Sequence, residues 1–290
     1  MEVSIFQQNM ALVFLGYKSG RFVTRKGAIE GLVSYLKKHQ PDIVGLCEVF
    51  RKTERRQLLQ KLRGIYPHFA KGPSKPWLVY SGLLLLSKLP FSKTATTIFN
   101  HKEHIDKLTA KGVLHAKIDL SENKGLNLYF SHLQDPDSKG IESCRQTTET
   151  QLAELAGFVK NTENPSFPSI IMGDLNTDAF NRERTNLPLA PNTYQNMMSK
   201  LNGFKDLWLE NEHEKPTGIT YDDESRFHQK EPLPFDSPIR GKKGMRLDYF
   251  LLKNSGYQIQ TNTNLVMIES SPGREVSDHY GLKTALKFDA

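Results

Sequence analysis

The stretch RLDYFLL, residues 246–252, is a mostly apolar run that carries one carboxylate, and the interpretation of the chain starts from it. Leucine and aromatic side chains at this density predict a strand inside a sheet. A carboxylate there is costly unless it is paired or bound to metal, so Asp248 needs a partner. Further along, the triplet SDH, residues 277–279, offers His279 directly after a second carboxylate. An aspartate that holds a histidine fixes its tautomer and can make it a general base.

Simpler interpretations stay open for each fragment taken alone. A buried aspartate can cap a turn or pair with an arginine such as Arg246, and a histidine after a loop is more often a surface residue. The catalytic interpretation gains weight from three other apolar strands, which end in the same way at Glu48, at His132 and at Asp174. Polar groups at several strand ends predict a common site.

Length and charge set limits on domain organisation and partners. The chain has 290 residues and an ordinary apolar fraction, so it can bury a large core. We expect one domain over residues 1–290, because the candidate site residues lie on both sides of 210–244, the only plausible boundary. The net charge of +7 favours anionic partners such as nucleic acid, phosphate esters or an acidic membrane surface, without choosing among them.

Cysteine usage and the first residues bear on location. There are two cysteines, and Cys47 lies in an apolar run, so we expect reduced thiols of the kind found in intracellular proteins. Residues 1–20 lack the pattern of a signal peptide, although a leader could have been removed. Location therefore stays open between the cytoplasm and secretion. No apolar segment is long enough to span a bilayer, and we expect a monomer.

Helices and strands alternate along the chain. Residues 25–38 carry apolar side chains on one helical face and stop before Pro41, and residues 144–160 show a second such face. Residues 112–120 alternate cleanly between apolar and polar side chains, and the pattern resumes over 126–130 after a turn, which predicts a hairpin.

The sequence GDLN, residues 173–176, closes a buried strand with two short polar side chains. In extended backbone Asp174 and Asn176 would point to the same side, so that both could face one metal ion or one phosphate. The alternative is an Asx turn that simply ends the strand.

The candidate residues are hard oxygen or imidazole groups at the ends of predicted strands. Such a set suits Mg²⁺, with Mn²⁺ or another hard divalent ion as an alternative, whereas zinc would want closely spaced cysteine and histidine. No phosphate-binding glycine loop, nucleophile elbow or dinucleotide fingerprint is present. The set consists of Asn9, Glu48, His132, Asp174, Asn176, Asp248, Asp278 and His279.

Five of these fragments, taken in order, resemble the motif series of the endonuclease/exonuclease/phosphatase superfamily: Glu48 after its strand, SH at 131–132, GDLN at 173–176, LDY at 247–249 and SDH at 277–279. The resemblance spans residues 9–288. It implies an α/β fold, a four-layer α/β/β/α sandwich of two mixed sheets with the helices outside.

Within that superfamily the chain is most similar to neutral and bacterial sphingomyelinases. The similarity lies in SHLQ at 131–134, with Arg145 and Gln151 downstream, in SGLLLLSKLP at 81–90, and in KG at 111–112. It implies a phosphate-ester substrate, a phospholipid such as sphingomyelin at a membrane surface. The strand at 246–252 also resembles apurinic endonucleases. A nuclease acting on nucleic acid and an inositol-phosphate phosphatase therefore remain alternatives on the same fold.

The resemblance implies metal-assisted hydrolysis of a phosphate ester by in-line attack of water. His279 would be the base, Asp248 its orienter and His132 a donor to the oxygens at phosphorus. Asp174 and Asn176 would position the water or a second ion. Metal ligation is expected from Glu48, Asn9, Asp174, Asn176 and Asp278.

Overall fold

The computed structural model describes residues 1–13, 23–122, 124–135, 142–180, 193–211, 218–222, 244–271 and 274–289. Most of the plausible boundary at 210–244 therefore lies outside the described residues. Within the described residues the strands form two six-stranded sheets and a two-stranded ribbon.

Both large sheets are mixed. In spatial order the first consists of β11 (Ile259–Val266), β14 (Gly281–Phe288), β1 (Glu2–Asn9), β2 (Ile43–Cys47), β4 (Leu84–Ser87) and β3 (His68–Lys71). The second consists of β5 (Phe91–Ile98), β6 (Gly112–Ser121), β7 (Lys124–His132), β8 (Ser169–Asp174), β10 (Asp248–Lys253) and β9 (Lys205–Asp206). The ribbon pairs β12 (Glu269–Ser271) with β13 (Arg274–Glu275). β1 runs parallel to β2, and β7 runs parallel to β8.

Helices cover the outer face of each sheet. α1 (Arg25–His39) and α2 (Lys52–Leu62) pack on the first sheet, while α3 (Glu142–Thr162) and α4 (Thr193–Lys200) pack on the second. A third apolar cluster fills the space between the sheets. The four-layer sandwich predicted from the sequence is confirmed. A short 3₁₀ helix, His104–Leu108, precedes β6.

Local sequence features determine where α1 begins and ends. The Thr24 hydroxyl accepts a hydrogen bond from the Gly27 N–H at 3.0 Å, which caps the first turn. Basic side chains occupy the last turn, where they complement the negative end of the helix. Gln40 then adopts a left-handed conformation with φ +45° just before Pro41, which cannot continue the helix.

The two sheets pack closely against each other at Gly45. A Cβ atom at this position would lie 2.4 Å from the Met172 Cε and 3.1 Å from the Phe130 ring. Any larger residue would therefore require the Met172 side chain and the Phe130 ring to move. Close packing of this kind brings the strand ends of both sheets within reach of one another.

The site is built from the rows of side chains that face the other sheet. Successive side chains of a strand point to opposite faces of the sheet. Every second residue of these strands therefore faces the other sheet, and most of these inward-facing residues are apolar. Four such rows finish in a polar group at the same end of the sandwich, namely Asn9, His132, Asp174 and Asp248. β10 is antiparallel to β8, so its first residue, Asp248, lies opposite Asp174, the last of β8.

Strands from distant parts of the chain are interleaved in both sheets. β14 lies between β11 and β1, and β10 lies between β8 and β9. This interleaving supports the proposal that residues 1–290 fold as one domain, and limited proteolysis that released two stable halves would contradict it.

A buried ion pair next to the site permits a stability prediction. Arg246 Nη1 lies 2.7 Å from Asp206 Oδ2, and both side chains are buried. The same carboxylate also accepts hydrogen bonds from the Tyr194 hydroxyl and the Trp208 N–H. We expect Asp206→Ala to lower the free energy of unfolding by about 3–5 kcal/mol, because it leaves a buried guanidinium without its partner.

Equilibrium unfolding in urea measures this loss. The matched control is Asp119→Ala, which removes a half-exposed carboxylate 3.8 Å from Lys117 and should cost less than about 1 kcal/mol. If both variants shifted the midpoint equally, the ion pair would not have the structural importance assigned to it.

Candidate active site

A cavity of about 320 Å³ opens at the end of the sandwich where the polar row ends meet. Side chains from both sheets and from the connecting loops line it. They include most of the residues predicted from the sequence, namely Glu48, His132, Asp174, Asn176, Asp278 and His279. Asn9 and Asp248 lie behind them, in contact with their carboxylate and imidazole groups.

Glu48 is aimed into the cavity by an unusual backbone conformation. β2 ends at Cys47, and Glu48 has φ +58°, a left-handed conformation that is uncommon outside glycine. The turn packs against Gly82, whose carbonyl accepts the Val49 N–H at 2.9 Å. A Cβ atom on Gly82 would lie 3.2 Å from the Glu48 Cα, so this neighbour must be small. The turn therefore fixes the direction of the carboxylate.

The Glu48 carboxylate is only partly satisfied. Its side chain is 16% exposed, and Oε2 is buried without a hydrogen-bond partner. Burial raises the pKa of Glu48, and the nearby Asp278 raises it further. A buried carboxylate oxygen without a donor indicates a place for a cation or a water molecule.

Asn9 links two carboxylates. Its Nδ2 donates to Asp174 Oδ2 at 2.9 Å and to Glu48 Oε1 at 3.3 Å. Its Oδ1 accepts the Ala11 N–H at 3.0 Å. In this arrangement Asn9 holds the two acids in place. Its predicted role as a metal ligand stays a prediction.

The expectation that Asp174 and Asn176 point to the same side of an extended strand is wrong. β8 ends at Asp174, and Asn176 has φ +48°. The Asn176 N–H donates to Asp174 Oδ1 at 3.0 Å, which is the Asx turn considered as the alternative. The Asn176 side chain donates to the Leu133 carbonyl at 3.0 Å and still lines the cavity. The turn gathers both residues at the site by a different route.

Asp248 and His279 form the predicted contact, with 2.8 Å between Oδ2 and Nδ1. The partner of Arg246 is Asp206, so the alternative pairing with Asp248 does not occur. His279 Nε2 lies 3.8 Å from Asp174 Oδ2. Burial acts to lower the pKa of His279, but the surrounding carboxylates, Asp248 first, raise it to about 10. The role of this pair as base and orienter stays a prediction.

His132 lies between two carboxylates, that of Glu48 at the end of the first sheet and that of Asp174 at the end of the second. Its Nε2 is 3.7 Å from Asp174 Oδ2 and 4.0 Å from Glu48 Oε1. Burial lowers the pKa of His132 well below its usual range, and the positive charge of Lys111 lowers it further. The Lys111 ammonium lies 3.3 Å from the same Nε2, and an ammonium can only donate, so Nε2 accepts in this arrangement. This differs from the donor role predicted for His132, which stays a prediction.

Lys111 is a site residue that the sequence reasoning did not place. It is buried, it forms an ion pair with Asp106 at 2.8 Å, and it donates to the Leu133 carbonyl at 2.7 Å. It lines the cavity and supplies a cationic donor next to His132. The sequence signal that could have identified it is a single charged residue directly before an apolar strand. Glu48 was identified by a charged residue directly after one.

Asp278 lines the cavity beside His279. Its Oδ1 accepts the Ser277 hydroxyl at 3.2 Å, and its carbonyl accepts the Asp222 N–H at 3.0 Å. Ser277 also accepts the His279 N–H at 3.1 Å, so the triplet is fixed in a compact turn. The arrangement holds the Asp278 carboxylate at the cavity, and its part in metal binding stays a prediction.

The residues present fit a hard divalent cation. Carboxylate and imidazole atoms of Asp174, Asp248 and His279 lie within 4.8 Å of one another, and of these three only Asp174 belongs to the predicted metal ligands. The cavity adds the carboxylates of Glu48 and Asp278. Oxygen-rich donors of this kind suit Mg²⁺. The unpartnered Glu48 Oε2 is the observation that favours an ion at this end of the group.

Comparison with known protein families gives a match over most of the chain. The sequence profile of the Endonuclease/Exonuclease/phosphatase family matches residues 19–279. Sphingomyelinase C of Bacillus cereus is 27% identical over 196 residues, which cover 62% of this chain and 57% of that protein. The chain thus spans little more than half the length of this curated relative.

Solved structures share the fold along the whole length. A doubly substituted beta toxin of Staphylococcus aureus with bound magnesium ions superposes with a TM-score of 0.70 at 20% identity, over 99% of this chain and 100% of the other. The TDP2 protein of Danio rerio, complexed with a single-strand DNA product, superposes with a TM-score of 0.70 at 20% identity, over 99% of each chain.

Proposed function

Because this chain belongs to the endonuclease/exonuclease/phosphatase family, we propose that it is a metal-dependent phosphoric ester hydrolase whose substrate is sphingomyelin or a related choline phospholipid. The observation that carries the hydrolase assignment is the group formed by Glu48, Asp174, Asp248 and His279 at one cavity. A magnesium-bound beta toxin of the same fold supports Mg²⁺ as the cofactor.

Glu48, Asn9, Asp174, Asn176 and Asp278 are the residues that would hold the ion. When bound, Mg²⁺ neutralises charge on a phosphate oxygen and on the leaving group. Asn9 keeps the Glu48 and Asp174 carboxylates together, which would otherwise repel each other. Lys111 adds a positive charge at the cavity wall, where an anionic phosphate would lie.

His279 would take the proton from the attacking water at Nε2. Asp248 binds Nδ1, so it fixes the tautomer that leaves Nε2 free to accept. With a pKa near 10 the imidazole would stay protonated at neutral pH. The carboxylates that raise this pKa include Asp174 and Asp278, which belong to the proposed metal site. A cation held by these two carboxylates is expected to lower the pKa of His279, which favours its action as a base, while Asp248, which raises the pKa most, remains in place.

Activity is expected to require a hard divalent cation. Excess chelator should reduce hydrolysis to background, and Mg²⁺ or Mn²⁺ added afterwards should restore it. The same titration should raise the melting temperature, because an ion that binds only the folded state stabilises it. Full activity in excess chelator would remove the metal from the mechanism.

The lipid substrate is supported by SHLQ at 131–134 and by the relationship to Sphingomyelinase C of Bacillus cereus. Nucleic acid is the second candidate, because the net charge is +7 and a DNA-bound TDP2 shares the fold. None of the described helices is long and apolar enough to cross a membrane.

A side-by-side release assay decides between the candidates. Purified protein is offered sphingomyelin in mixed micelles, other phospholipids, inositol phosphates and abasic duplex DNA under the same metal conditions. We expect the highest kcat/KM on sphingomyelin or another choline phospholipid. If the protein nicked the abasic duplex and left the micelles untouched, the nuclease would replace the lipid hydrolase.

A further inference from the structure

Three large apolar side chains are exposed on two neighbouring segments, one of which lines the cavity through Ile105, and we call them the apolar rim: Trp77, Ile105 and Leu108. Trp77 is 77% exposed, the highest value for a large hydrophobic side chain among the described residues, and Leu108 is 56% exposed. Exposed apolar groups of this size, gathered at one place, usually mark a contact surface. The proposed chemistry involves none of these three side chains.

Backbone hydrogen bonds hold the rim together. The loop at 72–80 carries Trp77, and the 3₁₀ helix His104–Leu108 carries the other two residues. The Val79 N–H donates to the Leu108 carbonyl, and the Ala110 N–H donates to the Val79 carbonyl, both at 2.8 Å. The exposed side chains are therefore displayed on a fixed backbone.

The rim lies at the mouth of the proposed active site. Ile105 and its neighbour Asp106 both line the cavity, and Asp106 pairs with the buried Lys111. The segment that displays Leu108 therefore also forms a wall of the cavity. Anything that covered the rim would be brought next to the carboxylates.

Lysines flank the apolar side chains. Lys75 Nζ lies 6.0 Å from the centre of the Trp77 ring. Lys102 donates to the Thr109 carbonyl. Burial lowers the pKa of Lys102, and the positive charge of Lys75 acts in the same direction. Lys107 is exposed and lies 2.8 Å from Glu103. The rim thus combines an indole, two aliphatic side chains and a cationic border.

We propose that the apolar rim docks the protein on an anionic phospholipid membrane. The Trp77 indole and the Leu108 side chain enter the interface between head groups and acyl chains, and the lysines contact lipid phosphates. The proposal rests on the proposed function, since docking there presents head groups to the cavity. Stacking on single-stranded nucleic acid would use Trp77 and the lysines but would leave the aliphatic Ile105 and Leu108 exposed, so lipid accounts for more of the surface.

Tryptophan fluorescence tests the docking without any catalysis. The chain has two tryptophans, and Trp208 is buried, so Trp77 supplies the signal that responds to solvent. The experiment uses the Glu48→Gln protein, to prevent turnover, and vesicles of phosphatidylcholine with phosphatidylserine. We expect a blue shift of the emission on adding vesicles, together with cosedimentation. Vesicles of phosphatidylcholine alone, or added salt, should weaken both.

Two substitutions at the rim have a matched control elsewhere. Trp77→Ala and Leu108→Ser should each reduce the partition coefficient onto vesicles by about tenfold, because each removes apolar surface that the lipid would cover. Leu209→Ser is the control, because Leu209 is 64% exposed and follows β9. β9 is one edge strand of the second sheet, and β5, which precedes the 3₁₀ helix of the rim, is the other. This substitution should leave partitioning unchanged. Thermal melting of each variant confirms that the fold is intact.

The outcomes separate the docking surface from the proposed function. In an otherwise unsubstituted protein, Trp77→Ala should slow hydrolysis of vesicle lipid by about tenfold and leave hydrolysis of soluble bis(p-nitrophenyl) phosphate unchanged. Vesicle binding without any lipid hydrolysis would retain the docking surface and remove the proposed substrate. Equal losses for Trp77→Ala and Leu209→Ser, or a Trp77 signal that responds to single-stranded DNA and not to vesicles, would overturn the docking proposal.

Discussion

Replacing Glu48 with glutamine is expected to lower kcat/KM by roughly 10³-fold or more, because a metal ion contributes several kcal/mol of charge stabilisation. The glutamine has nearly the same shape, and the backbone hydrogen bond at this left-handed turn, from the Val49 N–H to the Gly82 carbonyl, does not involve the side chain of residue 48. The pKa of Glu48 is raised by burial and by Asp278, so loss of its charge relieves repulsion in the absence of an ion. In chelator the variant should therefore melt at the same temperature as its parent or higher.

Metal titration and a second carboxylate make this test specific. Calorimetry should show weaker Mg²⁺ binding to Glu48→Gln, and the stabilisation by Mg²⁺ should shrink with it. Glu163→Gln is the matched control, because Glu163 pairs with Lys253 at the far end of β10 from the site. A Glu48→Gln protein that bound Mg²⁺ and turned over like the parent would end the metal assignment of this residue.

The second large effect concerns the pair Asp248 and His279. Each single alanine substitution should lower kcat/KM by roughly 10² to 10⁴, and the double variant should be scarcely worse than the worse single one. The reason is that the carboxylate acts through the imidazole, which it holds at 2.8 Å. Losses that simply multiplied would show two independent contributions, and the dyad would be given up.

The pH profile gives an independent check on the same histidine. A base works only when it is unprotonated, so kcat/KM should fall as the pH falls below the pKa of His279. Burial acts to lower this pKa, but the neighbouring carboxylates raise it to about 10. A bound cation would offset the charge of these carboxylates and lower the pKa of His279. At subsaturating Mg²⁺ the acidic limb of the pH profile should therefore move to higher pH. The limb should vanish in His279→Ala. If it persisted there, His132 would be tested as the base.

The fold was predictable because its signals are local and repeated. Alternation over β6 and β7, and the helical face that precedes Pro41, depend only on neighbouring residues. The same alternation extends to the site, since Asn9, His132 and Asp174 continue the inward rows of their strands. Residues at strand ends were therefore within reach of sequence reasoning.

Other features depend on the meeting of distant segments. The left-handed conformation of Glu48 requires Gly82 as a neighbour, and no pattern around Glu48 indicates it. Arg246 could pair with several acids, and only the position of β9 makes Asp206 its partner. The sequence at 173–176 is compatible both with an extended strand and with an Asx turn. The structure has the turn, in which the Asn176 N–H donates to the Asp174 carboxylate.

The position of β14 bears on how the protein is made. Glu2 of β1 pairs with Lys287 of β14, so β1 lacks its antiparallel neighbour until residues 281–288 have left the ribosome. Such long-range pairing is slow, and until it forms a nascent sheet keeps an open edge. We expect translating chains arrested before residue 281 to associate with chaperones and to remain sensitive to protease, whereas chains in which β14 has emerged and paired with β1 become resistant.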